Sequence, residues 1–164
     1  GAELFELTQR MALAAGLPAY EVSNHARPGR ESRHNLTYWR YGDYAGIGPG
    51  AHGRRGTLAT VRHRKPENWL NSVSRNGHGC QLEDPLTPAE RAREALVMGL
   101  RLREGIDLEA MAKRCDVDPE TLINRRRANL LESYDLVLLK EHRLFVLPKG
   151  MLLLDRILAE LVET

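Results

Sequence analysis

The sequence is poor in cysteine and in aromatic residues, with two cysteines, two tryptophans, five tyrosines and two phenylalanines among 164 residues. Cys80 and Cys115 share no CxxC spacing, which argues against a disulfide framework or a paired-cysteine metal site and predicts two free thiols. Apolar runs such as "LVLL" and "MLLLD" are too short to span a bilayer. The opening "GAELFELTQRMALAAGL" is acidic where a secretory signal would be basic, so the expected compartment is the cytosol. GxSxG, HExxH and Walker-type phosphate loops are also missing, and no catalytic set stands out.

What is present is a composition of the soluble globular kind, 42% hydrophobic and 28% charged. The net charge of +2 hides an asymmetry. Residues 27–65 carry nine basic side chains against Glu31 and Asp43, whereas the chain from Thr87 onward is close to neutral. A local cationic field suits an anionic partner, or is simply a solvated basic face.

Leu4, Leu7 and Met11 recur at helical spacing and predict an amphipathic helix over 2–15, with Gly16 and Pro18 ending it. A strand over 19–26 is expected next, then a turn-rich loop, a strand over 44–53 running into glycines, and a helix over 66–74. Helix, turn and strand make half an α/β unit, and a helix with no strand before it suggests a start in mid-domain. Residues 79–86 read as a linker between a first domain, 1–78, and a second, 87–164. In the second, Thr87, Pro88 and Glu90 form a capping-box signature. Helices are expected over 87–105, 107–117 and 118–134, then a hairpin over 136–147. A last helix over 149–163 carries Leu154, Ile157, Leu158 and Leu161 on one stripe. That order is winged-helix-like.

Three segments carry candidate chemistry. In "HNLTYW", an extended backbone would put His34, Leu36 and Tyr38 on one face. His34 could ligate haem iron while Tyr38 and Trp39 stack on a macrocycle and nearby arginines pair with propionates. The alternative is that His34 and Asn35 bond loop backbone while Tyr38 and Trp39 pack a core. In "GIGPGAHG" the glycines allow close approach to an anion or tight backbone packing, and His52 and His25 share that ambiguity. Arg125, Arg126 and Arg127 lie on the third helix of the winged-helix pattern, where a DNA reader carries its contacts. The neutrality of that half argues against nucleic acid, and three consecutive residues spread around the helix instead of forming one stripe.

Taken together, "YEVSNHARPG", "SRHNLTYW", "YAGIGPGAHG" and "TPAERAREALVMGLRL" resemble the C-terminal part of the coproporphyrinogen III oxidase-like radical SAM proteins, in the branch of the HemW haem chaperones. The resemblance implies an α/β fold, the last helix and strands of an incomplete radical SAM barrel, followed by a mainly helical winged-helix-like domain. It implies His34, Asn35, Tyr38 and Trp39 as haem-binding residues, with His34 as possible iron ligand, and a haem-acceptor protein as partner. His25 departs from the aromatic residue that relatives more often have. The family's 4Fe–4S cluster and S-adenosylmethionine depend on a CxxxCxxC motif that this sequence does not contain, so the chain alone is expected to perform no redox chemistry. The expected function is haem binding and transfer. The alternatives are part of an oxygen-independent coproporphyrinogen III oxidase, or a winged-helix nucleic-acid binder.

Overall fold

The computed structural model describes residues 1–162. Helix α1 (Ala2–Ala14) forms as the periodicity predicts, yet none of its residues is buried; Leu4 and Met11 keep 69% and 65% of their surface exposed. The strand expected over 19–26 is absent. The segment folds back on itself: the Ala26 N–H donates to the Pro18 carbonyl and the Tyr20 N–H to that of Asn24. Its ladder groups are thereby used internally, leaving isolated bridges from Ala19 to His25 and from Glu21 to Leu102.

The stretch expected to be extended around His34 is instead helix α2 (Arg33–Trp39). Ser32 starts it, its hydroxyl accepting from the Asn35 N–H at 3.3 Å, which satisfies a donor that a helix start otherwise leaves open. After α2 the chain runs irregularly, touching β1 through one bridge from Tyr44 to Arg54, so the strand predicted over 44–53 begins only at its end.

Strands β1 (His52–Arg55) and β2 (Leu58–Arg62) form a hairpin. Helix α3 (Pro66–Asn76) follows, with Pro66 at its start, and leads to β3 (Cys80–Pro85), which pairs antiparallel with β2. The segment read as an irregular linker is thus an edge strand. "CQLEDP" has weak β-propensity and is held by pairing with "LATVR" of β2, a case of tertiary context overriding local preference.

In the second half, α4 (Pro88–Gly99) starts with the predicted capping box: Thr87 Oγ1 accepts from the Glu90 N–H, and the Glu90 carboxylate accepts from the Thr87 N–H. A two-residue strand, β4 (Ile106–Asp107), then precedes α5 (Leu108–Cys115). The helix expected over 118–134 splits. Asp118 caps a single 3-10 turn at Pro119–Thr121. Asn124 then starts α6 (Arg125–Ser133) by accepting from the Arg127 N–H at 3.1 Å. The hairpin of β5 (Val137–Lys140) and β6 (Arg143–Val146) forms as predicted, and β4 joins it to give the sheet order β4-β6-β5. The last helix, α7 (Leu154–Val162), buries Leu154, Ile157, Leu158 and Leu161 together; residue 163 of the predicted span lies outside the described residues.

The core sits in this second half, where Leu96, Leu100, Leu108, Leu144, Ile157 and Leu161 are at most 1% exposed. From the first half, Tyr41 is the one buried hydrophobic residue in it. Both cysteines are unpaired, Cys115 wholly buried and Cys80 partly exposed. Burial pushes the Cys115 thiol up, away from the reactive thiolate. Iodoacetamide on the native chain is therefore expected to label Cys80 and spare Cys115 until denaturant is added. Peptide mass spectrometry showing equal native labelling would contradict that.

Candidate functional site

In α2, residues four apart share a face, so His34 meets Tyr38. The Tyr38 hydroxyl lies 2.9 Å from His34 Nε2, and the rings stand edge to face with centroids 4.6 Å apart. Tyr38 in turn meets Tyr44 edge to face at 4.4 Å. A row of three rings therefore runs from the surface inward, beginning at an exposed imidazole. Burial pushes the Tyr44 phenol up.

Asn35 and Trp39 lie one residue further round. The Asn35 amide donates to the Tyr20 hydroxyl at 3.0 Å. Trp39 lies 5.6 Å from the Arg101 guanidinium, within cation–π range, and its buried Nε1 has no acceptor among the described residues. The four candidates thus divide into an outward pair, His34 with Tyr38, and a packed pair, Asn35 with Trp39. Leu36 does not share the His34 face, because the segment is helical.

A polar cluster anchors the C-terminal end of α2. Arg114 of α5 donates to the carbonyls of Arg40 at 3.0 Å and Tyr41 at 2.5 Å, the two residues that follow the helix. Tyr41 adopts a positive φ of 56°, and the Arg54 guanidinium sits 3.6 Å from its ring centroid. The Tyr41 hydroxyl donates to Glu94 Oε2 at 2.9 Å, and Arg54 donates to the same oxygen. Burial, then the bond to Glu94, pushes the Tyr41 phenol well above the usual tyrosine range. On the exposed side Arg40 holds both oxygens of Glu104 at 2.8 Å, and this bonding keeps the Glu104 carboxyl below the usual carboxylate range. These anchoring residues were not legible in the sequence: Arg54 and Glu94 are 40 positions apart, Tyr41 and Arg114 73 apart.

In the glycine loop, a Cβ at Gly46 would lie 2.2 Å from the His52 carbonyl oxygen, and Arg62 Nε donates to the Gly46 carbonyl at 3.0 Å. These contacts favour backbone packing over an anion cradle. His52 is exposed, and His25 is half-buried with its Nε2 lacking a partner among the described residues. On α6, Arg125 pairs with Glu120 at 3.4 Å and Arg127 with Glu160 at 3.3 Å, so two of the three arginines are engaged by carboxylates.

The donor set of α2 fits one face of a flat, anionic macrocycle in chemistry: an imidazole for a metal axis, aromatic edges, exposed Arg27 and Arg30 in the preceding turn, and exposed Arg33 as the first helical residue. A ligand taking His34 Nε2 must displace the Tyr38 hydroxyl. The chain does not fit an iron–sulfur cluster, because its two thiols are too few and Cys115 is sealed in the core. Among the described residues no cluster of three or more metal-ligating side chains forms.

Residues 86–153 match the HemN C-terminal domain family. The chain is 41% identical over 113 residues to radical S-adenosyl methionine domain-containing protein 1, mitochondrial, of Bos taurus, a match covering 64% of this chain and 26% of that protein. It is 34% identical over 113 residues to the heme chaperone HemW of Bacillus subtilis, covering 69% of this chain and 30% of that protein. The chain therefore spans about a quarter to a third of these relatives. Among solved structures it resembles coproporphyrinogen III oxidase (HemN) from Escherichia coli, a radical SAM enzyme. The TM-score is 0.72 at 17% identity, over 96% of this chain and 39% of that one. Residues 86–153 thus carry a HemN C-terminal domain, in a chain homologous to proteins named heme chaperone HemW and radical S-adenosyl methionine domain-containing protein 1.

Proposed function

We propose that the chain is the haem-presenting part of a HemW-type haem chaperone, binding haem through α2 and passing it to an acceptor protein. The observation that carries this reading is the exposed His34 imidazole set edge to face against Tyr38, itself backed by Tyr44, in a chain whose relatives include proteins named heme chaperone HemW. Its own residues would bind and orient: His34 would offer a nitrogen ligand, Tyr38 holds the imidazole until ligand arrives, and Arg27, Arg30 and Arg33 would meet carboxylates. When bound, haem supplies the iron and the macrocycle; the chain performs no bond chemistry on it. The 4Fe–4S cluster and S-adenosylmethionine belong, in this reading, to the remainder of a longer protein. Unpaired thiols support a reducing compartment such as the cytosol, and no helix of the described residues is long and apolar enough to cross a membrane.

The same reading takes residues 1–78 as the end of a radical SAM barrel, 79–86 as the connection that carries β3, and 87–164 as a winged-helix-like domain. The helix, strand, two-helix and hairpin order of α4 through β6 supports it. A second reading, part of a coproporphyrinogen III oxidase, draws support from the HemN-like fold alone. The nucleic-acid reading loses ground to the carboxylate pairing of Arg125 and Arg127.

A visible-absorption titration of haem tests the proposal. The chain is expected to saturate near one equivalent with a Soret shift. His34→Ala should weaken binding by about tenfold or more, equivalent to about 1.4 kcal/mol, and Tyr38→Phe should retain it, because Nε2 is then unobstructed. A Soret band and affinity unchanged in His34→Ala would overturn the assignment.

A further inference from the structure

Where α2 ends against α4, β4 and α5, the fold leaves a cavity of about 190 Å³. Its floor is apolar, formed by Leu102, Ile106 and Met111, and Trp39 forms part of its wall. A dry cavity of about 150 Å³ is enough to hold benzene, so this one admits a single small ring and excludes a tetrapyrrole. Three guanidiniums, Arg40, Arg114 and Arg143, face two carboxylates, Glu104 and Asp107, around it, leaving one positive charge in excess.

Each guanidinium is positioned by protein partners without being exhausted by them. Arg40 spends Nε and one terminal nitrogen on Glu104, and Arg114 both terminal nitrogens on backbone carbonyls. Arg143 donates to the Glu104 carbonyl at 3.2 Å and lies 3.6 Å from Asp107. A guanidinium carries five donors, so each retains at least one.

The geometry points to a binding site for a small aromatic monocarboxylate: a ring on the apolar floor beside Trp39 and a carboxylate neutralising the excess charge of the guanidiniums. Such a ligand bridges α2 to α5 and β6. This assignment is independent of haem binding at His34, since neither His34 nor Tyr38 lines the cavity.

The probe is benzoate, with benzyl alcohol as the uncharged ring and acetate as the carboxylate without a ring. The readout is the indole N–H resonance of Trp39 in the full chain, told from that of Trp69 by a Trp69→Phe variant. Benzoate is expected to shift it saturably, with affinity at least tenfold above either control. Ala110→Phe, at an exposed position on the cavity wall, should abolish the benzoate shift while leaving the rest of the spectrum dispersed. Equal responses to all three probes, or a benzoate shift that survives in Ala110→Phe, would overturn the site. Because haem binding is read separately at the Soret band, failure of either assignment leaves the other standing.

Discussion

Gly105→Ala is expected to destabilise the chain by about 2–5 kcal/mol, summing the left-handed backbone cost of about 1–2 kcal/mol and about 1–3 kcal/mol of overpacking. Gly105 has φ of 64°, and a Cβ there would lie 2.4 Å from the Leu144 carbonyl oxygen and 2.7 Å from the Phe145 ring. The backbone of β6 cannot yield easily, because Leu144 is paired with Ile106 of β4 on one side and Leu139 of β5 on the other. Gly16→Ala supplies the control. Gly16 has φ of 73° with nothing within 4 Å of the added carbon, so only the backbone cost of about 1–2 kcal/mol applies. Urea unfolding of the two variants separates clash from conformation. Equal losses would show that β6 relaxes around the new methyl group and that the close packing at Gly105 contributes little.

Glu94→Ala is expected to cost about 2–3 kcal/mol. Removing one partner of a fully buried ion pair costs about 3–5 kcal/mol, because the other charge is left uncompensated; here Glu94 keeps 39% exposure while Arg54 keeps 7%, which lowers the figure. Arg54 loses the carboxylate and keeps only the Tyr41 ring, and Tyr41 loses its acceptor. Since Tyr41 lies just past the C-terminal end of α2, amide hydrogen exchange should quicken in α2 as well as at the site of the change. Combining Glu94→Ala with Arg54→Met should restore part of the loss by removing the stranded charge. A thermal-melt change of under about 0.5 kcal/mol for Glu94→Ala, the size of an ordinary surface substitution, would mean the cluster does not join the two halves.

The elements legible in the sequence are those whose signals lie within a few residues of each other. The Thr87–Glu90 capping box, the α7 stripe and the β5–β6 hairpin each need only neighbouring residues to form their bonds or show their period, and each appears where the pattern places it. The family, too, was legible, carried by short motifs. The α2 segment shows the limit. His34, Asn35, Tyr38 and Trp39 were identifiable as residues, but alternation by two implied one face and the helix made another, because Ser32 caps the segment and brings His34 to Tyr38 four positions on. Strands β3 and β4 have little preference of their own and exist through partners supplied from β2 and β6. The Tyr41–Arg54–Glu94–Arg114 cluster and the cavity beside it draw on residues tens of positions apart, whose meeting follows from how α4 and α5 pack. Sequence by itself determined the local starts, stops and periods; tertiary structure decided which weak strands pair and which charges are buried together, because those energies come from contacts that no short window contains.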